Sequence, residues 1–220
     1  MNKIKTKTQI TVLLADDHAV VRDGLRVLLE RSADIRVVGE AADGFEAVQL
    51  AEELAPDVVI MDITMRDLNG VEATRLLRDK CPATRVVMLS MHSNSEHVFR
   101  ALEAGATGFV LKESAGEEVA AAVRAAHAGQ SYFSPAIAAL GSTMQSRPTR
   151  TSPMDSLSGR ERHVVQLVAE GRTSAEIAVI MNLSPKTIET YRGRLMKKLS
   201  VKNVADLVKF AIEHDLIPPS

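Results

Sequence analysis

The chain has 220 residues, 45% of them hydrophobic, with a formal net charge of -1 and one cysteine, which is enough for one large domain or two ordinary ones with filled cores. The lone Cys81 excludes an intramolecular disulfide and fits a reducing cytosol. The start MNKIKTKTQI runs into a strand-like TVLLADD instead of a signal region, and no apolar run approaches the roughly eighteen residues of a membrane span. A soluble, cytoplasmic, non-fibrous protein is expected.

Charge is unevenly spread. Residues 8 to 130 carry 12 Lys+Arg against 20 Asp+Glu, whereas residues 184 to 202 carry 6 against 1. An acidic front and a basic back predict two modules with different partners, the second suited to a polyanion.

In chain order, five short apolar runs appear: TVLLA (11 to 15), IRVVGEA (35 to 41), DVVIM (57 to 61), RVVML (85 to 89) and GFVLK (108 to 112). Between them, stretches such as AVVRDGLRVLLER and FEAVQLAEEL repeat apolar residues every three or four positions. Strands alternating with helices predict an α/β doubly wound, five-stranded parallel sheet covered on both faces. EEVAAAVRAAHAG closes this unit, with Gly129 as a helix C-cap. The first domain is therefore placed at 10–130 and a linker at 131–155; PAIAAL is apolar enough for a short helix, and the stretch from Gly141 onward is expected to be flexible.

Beyond the linker, helix starts are legible. Ser158 with Glu161, and Thr173 with Glu176, have capping-box spacing; Ser184-Pro185 puts a cap before a first-turn proline, and Asn203 opens a last helix. Gly171 ends the first of these helices. Four short helices over 156–220, the middle two separated by Asn182-Leu183, predict a small all-α helix-turn-helix domain.

In an open parallel sheet, ligands gather at the carboxyl ends of the strands where strand order reverses. The residues at those ends are Asp16 and Asp17, Asp62, Ser90, and Lys112. Three carboxylates repel one another unless a cation intervenes, and Mg²⁺ is the hard ion that favours one or two carboxylates plus a phosphate. Asp62 ends the apolar run Val58-Val59-Ile60-Met61. Beside Mg²⁺ and an ammonium, such a carboxylate can attack a phosphoryl group and hold it as an acyl phosphate.

LLADDH, VVIMDITM, VVMLSMH and GFVLKES resemble the signature blocks of a two-component receiver domain over roughly residues 10 to 130. The resemblance implies that Asp62 is the phosphoacceptor. It implies that Asp17 and Asp62 ligate Mg²⁺ with the Thr64 carbonyl, and that Asp16 supports the metal through water. Ser90 and Lys112 would contact the phosphoryl group, and Phe109 would be the aromatic switch. Two departures stand out: Arg66 replaces a usual proline, adding a cation and a looser turn, and Glu113 follows the lysine where many receivers have a cis-proline. Thr64 and His92 flank the site at positions expected to tune phosphate lifetime.

The segment LSGRERHVVQLVAEGRTSAEIAVIMNLSPKTIETYRGRLMKKL is similar to the LuxR-type helix-turn-helix that follows receivers in the NarL/FixJ family of response regulators. On its third helix, Ile188, Leu195 and Leu199 share one stripe, which predicts a core face. The opposite face suits a major groove. Lys186, Tyr191, Arg192, Arg194, Lys197 and Lys198 are assigned mainly to phosphates; Glu189, Thr190 and Gly193 to bases; and Thr187 is counted with the set.

The resemblance implies a phosphorylation-switched transcription factor and not an enzyme, apart from self-catalysed phosphotransfer and dephosphorylation. Its expected partners are a sensor histidine kinase, double-stranded DNA and a second copy when phosphorylated, with RNA polymerase a further candidate and no membrane. On phosphorylation, Ser90 and Lys112 would close on the phosphate, Phe109 would turn inward and the DNA-binding domain would be released. A phosphatase of the haloacid dehalogenase type needs a second Asp where Thr64 stands. A flavodoxin-like binder would suffer repulsion between Asp16-Asp17 and the flavin phosphate. A regulator independent of phosphorylation would keep the fold, but has no need of the acidic cluster.

Overall fold

The structure, a computed structural model, describes residues 9–93, 95–139 and 153–217. The stretch expected to be flexible therefore lies outside the described residues as far as position 152. Six strands, β1 Ile10–Ala15, β2 Ile35–Ala41, β3 Val58–Asp62, β4 Arg85–Ser90, β5 Gly108–Leu111 and β6 Tyr132–Phe133, form one sheet in the order 2-1-3-4-5-6. All neighbours run parallel. Helices α1 Ala19–Glu30, α2 Gly44–Leu54, α3 Gly70–Lys80, α4 Ser95–Ala104 and α5 Ala115–His127 alternate with the first five strands.

The central strand shows why the run predicts a doubly covered sheet. All five β3 residues are buried. Val59 and Met61 enter one core with Leu13, Leu77 and Phe109, while Val58 and Ile60 enter the other with Leu14, Leu29 and Val123. This is the period-two alternation of a strand with helices on both sides.

A sixth strand was not expected. β6 pairs with β5 through Gly108↔Tyr132 and Phe109↔Phe133, and a helical turn, α6 Pro135–Ala138, follows within the stretch assigned to the linker. The Leu111 amide donates to Ser134 Oγ at 3.0 Å, and Ile137 is fully buried in the first core. Apolar residues too few to suggest a strand are enough here because the β5 edge supplies the partners.

The C-terminal helices are α7 Gly159–Ala169, α8 Ser174–Met181, α9 Pro185–Lys198 and α10 Val204–Glu213. Both capping boxes form, and Ser184 and Asn203 accept from the Thr187 and Asp206 amides. Gly129 (φ +74°) and Gly171 (φ +83°) are in the left-handed region just past their helices. Val164, Ile177, Ile188 and Leu195 centre a third core, to which Leu216 and Ile217 also belong.

Candidate phosphoacceptor site and DNA-facing helix

Strand register builds the acidic rim. Ala15 pairs with Met61, so the next residues, Asp16 and Asp62, emerge side by side. Ser90 pairs with Leu111, which places Lys112 one residue further along the same edge. This is the β1/β3 switch point of the sheet.

The Lys112 Nζ lies 2.7 Å from Asp16 Oδ2 and 2.9 Å from Asp62 Oδ2. Asp16 and Asp62 are 1% and 4% exposed, so little water screens the three charges. Burial, reinforced by the neighbouring Asp16 and Asp17 charges and offset in part by Lys112, raises the Asp62 pKa to about 7. Burial works against the Lys112 ammonium, but the two carboxylates outweigh it and hold its pKa above the ordinary value.

His18 completes the cluster. Its Nδ1 lies 2.7 Å from Asp17 Oδ1 and 3.2 Å from Asp16 Oδ1, and one ligand atom each from Asp16, Asp17, His18 and Asp62 fall within 4.8 Å of one another. Asp16 Oδ2, beside the Lys112 ammonium, and Asp17 Oδ1, beside the His18 ring, are buried yet receive no aligned hydrogen bond. Oxygen donors so placed fit a hard divalent cation. His18 escaped the sequence reading, although its position directly after Asp16-Asp17 was the available signal.

A cavity of about 100 Å³ opens onto Asp62, lined among others by Thr64, Ser90, His92 and Lys112. Below it the chain turns tightly. A Cβ on Gly70 would stand 1.9 Å from the Asp62 carbonyl oxygen, and the Gly70 amide donates to Ile63 O at 2.9 Å, so only glycine lets α3 start this close to β3.

On α9, Lys186, Glu189, Thr190, Gly193, Arg194 and Lys197 are exposed and, at 100° per residue, share one face opposite the buried Ile188 and Leu195. Glu189 accepts from the Ser174 hydroxyl, and other assigned residues are likewise engaged within the unit. Lys198 pairs with Glu161 at 3.0 Å, Arg192 donates to Ser174 Oγ at 2.9 Å, and Tyr191 packs on the third core. Thr187 is half-buried, its hydroxyl 2.8 Å from that of Ser184.

Comparison with known proteins matches both parts of this arrangement. The family described as "Response regulator receiver domain" covers residues 12–124, and "Bacterial regulatory proteins, luxR family" covers residues 155–211. Response regulator UvrY of Escherichia coli (strain K12) is 39% identical over 208 residues, spanning 94% of this chain and 95% of that protein. The chain is a response regulator of the NarL/FixJ family. Response regulator protein VraR of Staphylococcus aureus is 36% identical over 209 residues, 94% of this chain and 99% of its own. A solved RcsB–DNA complex is 28% identical with a TM-score of 0.57, covering 92% of this chain and 98% of RcsB.

Response regulators are transcription factors and not ordinary enzymes, and this one pairs a receiver with a LuxR-type helix-turn-helix. No helix among the described residues is long and apolar enough to cross a membrane. In the receiver, Ser90 Oγ donates to His92 O at 2.9 Å and accepts from His92 N at 3.0 Å, so the hydroxyl is turned to its own loop. Phe109 is 1% exposed; the inward turn expected of it begins from a ring already inside. The Arg66 side chain is exposed, and the turn it was expected to loosen is closed by the Leu68 amide donating to Arg66 O at 2.6 Å.

Proposed function

We propose that this response regulator accepts a phosphoryl group from a sensor histidine kinase on Asp62 and, so modified, binds double-stranded DNA as a homodimer to control transcription. The reading rests chiefly on one observation: Lys112 sits 2.7 Å from Asp16 and 2.9 Å from Asp62 where strand order reverses. The proposed division is a receiver over 10–130, extended by β6 and α6, then a linker to 155 and a DNA-binding domain over 156–220.

Asp16, Asp17, Asp62 and the Thr64 carbonyl are the groups that would hold Mg²⁺, with Asp16 acting through water. Bound there, the ion would neutralise charge on the equatorial oxygens of the transferred group. An Asp62 carboxylate oxygen forms the new O–P bond as the P–N bond of the phosphohistidine breaks, and imidazole leaves with the proton on its other nitrogen. Lys112 pairs with one phosphoryl oxygen. Ser90 turns its hydroxyl from His92 to another.

The exposed stripe of α9 enters a major groove, Lys186, Arg194 and Lys197 on phosphates and Glu189, Thr190 and Gly193 toward bases. One short helix reads few base pairs, so paired half-sites favour a dimer. RcsB, solved with DNA and as two dimers on two parallel DNAs, supports this assignment. The test is Mg²⁺-dependent labelling by phosphoramidate, followed by DNA binding of labelled and unlabelled protein. Wild type should label and Asp62→Asn should not; equal labelling would show Asp62 to be misassigned.

A further inference from the structure

The DNA-binding domain rests on the loop that follows the proposed phosphoacceptor. Gln166, on α7, is fully buried. Its Nε2 donates to Met65 O and Glu170 Oε1, each at 2.8 Å, and its Oε1 accepts from the Asn69 amide at 3.1 Å and Asn69 Nδ2 at 2.9 Å. Two donations and two acceptances saturate a carboxamide.

The contacts continue along residues 65–72. The Asp67 amide donates to the Glu170 carboxylate at 3.2 and 3.3 Å. Arg172 pairs with the Asp67 carboxylate at 2.7 Å, and Arg162 with Glu72 at 2.6 Å. His163 Nε2 lies 2.7 Å from Asp67 O. Asp67 has φ +58°, a left-handed conformation that costs aspartate less than most non-glycine residues, and these contacts grip the turn it makes. The loop so gripped is the segment between β3 and α3, which follows Asp62 directly and has Thr64 near its start.

The end of the same domain reaches the mouth of the site. Asp215 and Ile217 line the cavity that contains Asp62, Ser90, His92 and Lys112. Asp215 is held there with its Oδ2 2.7 Å from His97 Nδ1 on α4. A phosphodonor approaching Asp62 meets an extra carboxylate, which repels a dianion, and an apolar side chain that narrows the entrance. Meanwhile Lys186, Thr190, Arg194 and Lys197 remain exposed. What this docking covers is the phosphoacceptor, not the DNA-facing helix.

We infer that the docked DNA-binding domain restrains phosphotransfer: Gln166 is a positioning residue that holds the β3–α3 loop in its resting shape, while Asp215 and Ile217 hinder entry to Asp62. The inference rests on the proposed phosphoacceptor role of Asp62. Coupling is reciprocal, so release of the domain speeds acceptance of phosphate, and phosphate on Asp62 weakens the grip of Gln166.

The test uses full-length wild type, Gln166→Ala and Arg172→Glu, the last placing a carboxylate against Asp67. Phosphoramidate with Mg²⁺ supplies the phosphoryl group; its P–N bond breaks as the O–P bond to Asp62 forms, and ammonia leaves. Both variants should label at least about fivefold faster than wild type. Hydrogen exchange at the Asp67 and Asn69 amides should quicken in both, and in phosphorylated wild type. Wild-type labelling rates in a variant whose two amides have lost protection overturn the inference, as does unchanged protection in both variants. Asp62→Asn separates the two readings. Labelling of that variant refutes the phosphoacceptor assignment, whereas a silent Asp62→Asn beside an unaccelerated, undocked Gln166→Ala refutes the coupling alone.

Discussion

The Lys112 ammonium is 2.9 Å from the Asp62 carboxylate, and the same nitrogen is 2.7 Å from Asp16. A single cation therefore compensates two buried carboxylates and lines the cavity that opens onto Asp62. Replacing it with methionine keeps the length of the stem and removes the charge. Lys112→Met should fold, bind Mg²⁺ and label with phosphoramidate about 100-fold more slowly, the usual loss when one charge-stabilising donor is removed. Unchanged labelling at saturating Mg²⁺ would place the ammonium outside the reaction.

Because burial and neighbouring carboxylates raise the Asp62 pKa to about 7, protons compete with a cation at this carboxylate. Mg²⁺ affinity, measured by titration calorimetry, should weaken as pH falls below about 7, approaching tenfold per unit. The stability consequence has the opposite slope. A folded-state pKa raised from 3.8 contributes stability that is present below the unfolded value and lost as pH rises through about 7. At pH 8 without metal, Asp62→Asn should therefore be the more stable protein by about 1–3 kcal/mol, seen as a higher melting temperature. Saturating Mg²⁺ should cancel the advantage, since wild type then has a cation among its carboxylates.

Much of this site was legible because its parts sit at strand ends, and strand ends are marked by where apolar runs stop. Asp16, Asp17, Asp62, Ser90 and Lys112 could be named from position alone, and parallel register did the rest. The sixth strand was hidden because Tyr132-Phe133 is too short to show a period; the β5 edge selects it. Gln166 gave no signal either. It sits within GRERHVVQLVA, where a polar residue among apolar ones reads as a solvated position, and its partners lie 97 and 101 residues away. Contacts between units leave little periodic trace, whereas capping and core faces leave a local one.

Gly70 tests the tight turn under Asp62, the proposed phosphoacceptor. Its added Cβ would lie 1.9 Å from the Asp62 backbone oxygen and 2.8 Å from Met61 Cγ, and backbone cannot step aside as a flexible side chain can. Gly70→Ala should destabilise the receiver by about 3 kcal/mol and displace Asp62, so that residual folded protein labels poorly. Gly116→Ala is the matched control, because nothing lies within 4 Å of its added methyl and α5 should accept alanine or gain slightly. Equal melting temperatures for the two variants would mean that the turn is laxer than the Gly70 contact distances require.

On α9 the structure separates two kinds of cation that the sequence alone pooled. Arg194 and Lys197 are exposed on the outward stripe, whereas Lys198 is tied to Glu161 at 3.0 Å. Each phosphate contact releases condensed counterions and adds about one unit to the slope of log affinity against log salt. Arg194→Ala and Lys197→Ala should each lower that slope by about one for a monomer, and twice that for a dimer. Lys198→Ala should leave the slope nearly unchanged while slightly lowering stability, its partner being a carboxylate of the same domain. Fluorescence anisotropy on a labelled duplex across a salt series distinguishes them. A full unit lost with Lys198→Ala, and none with Arg194→Ala, would mean that α9 presents a different face to DNA.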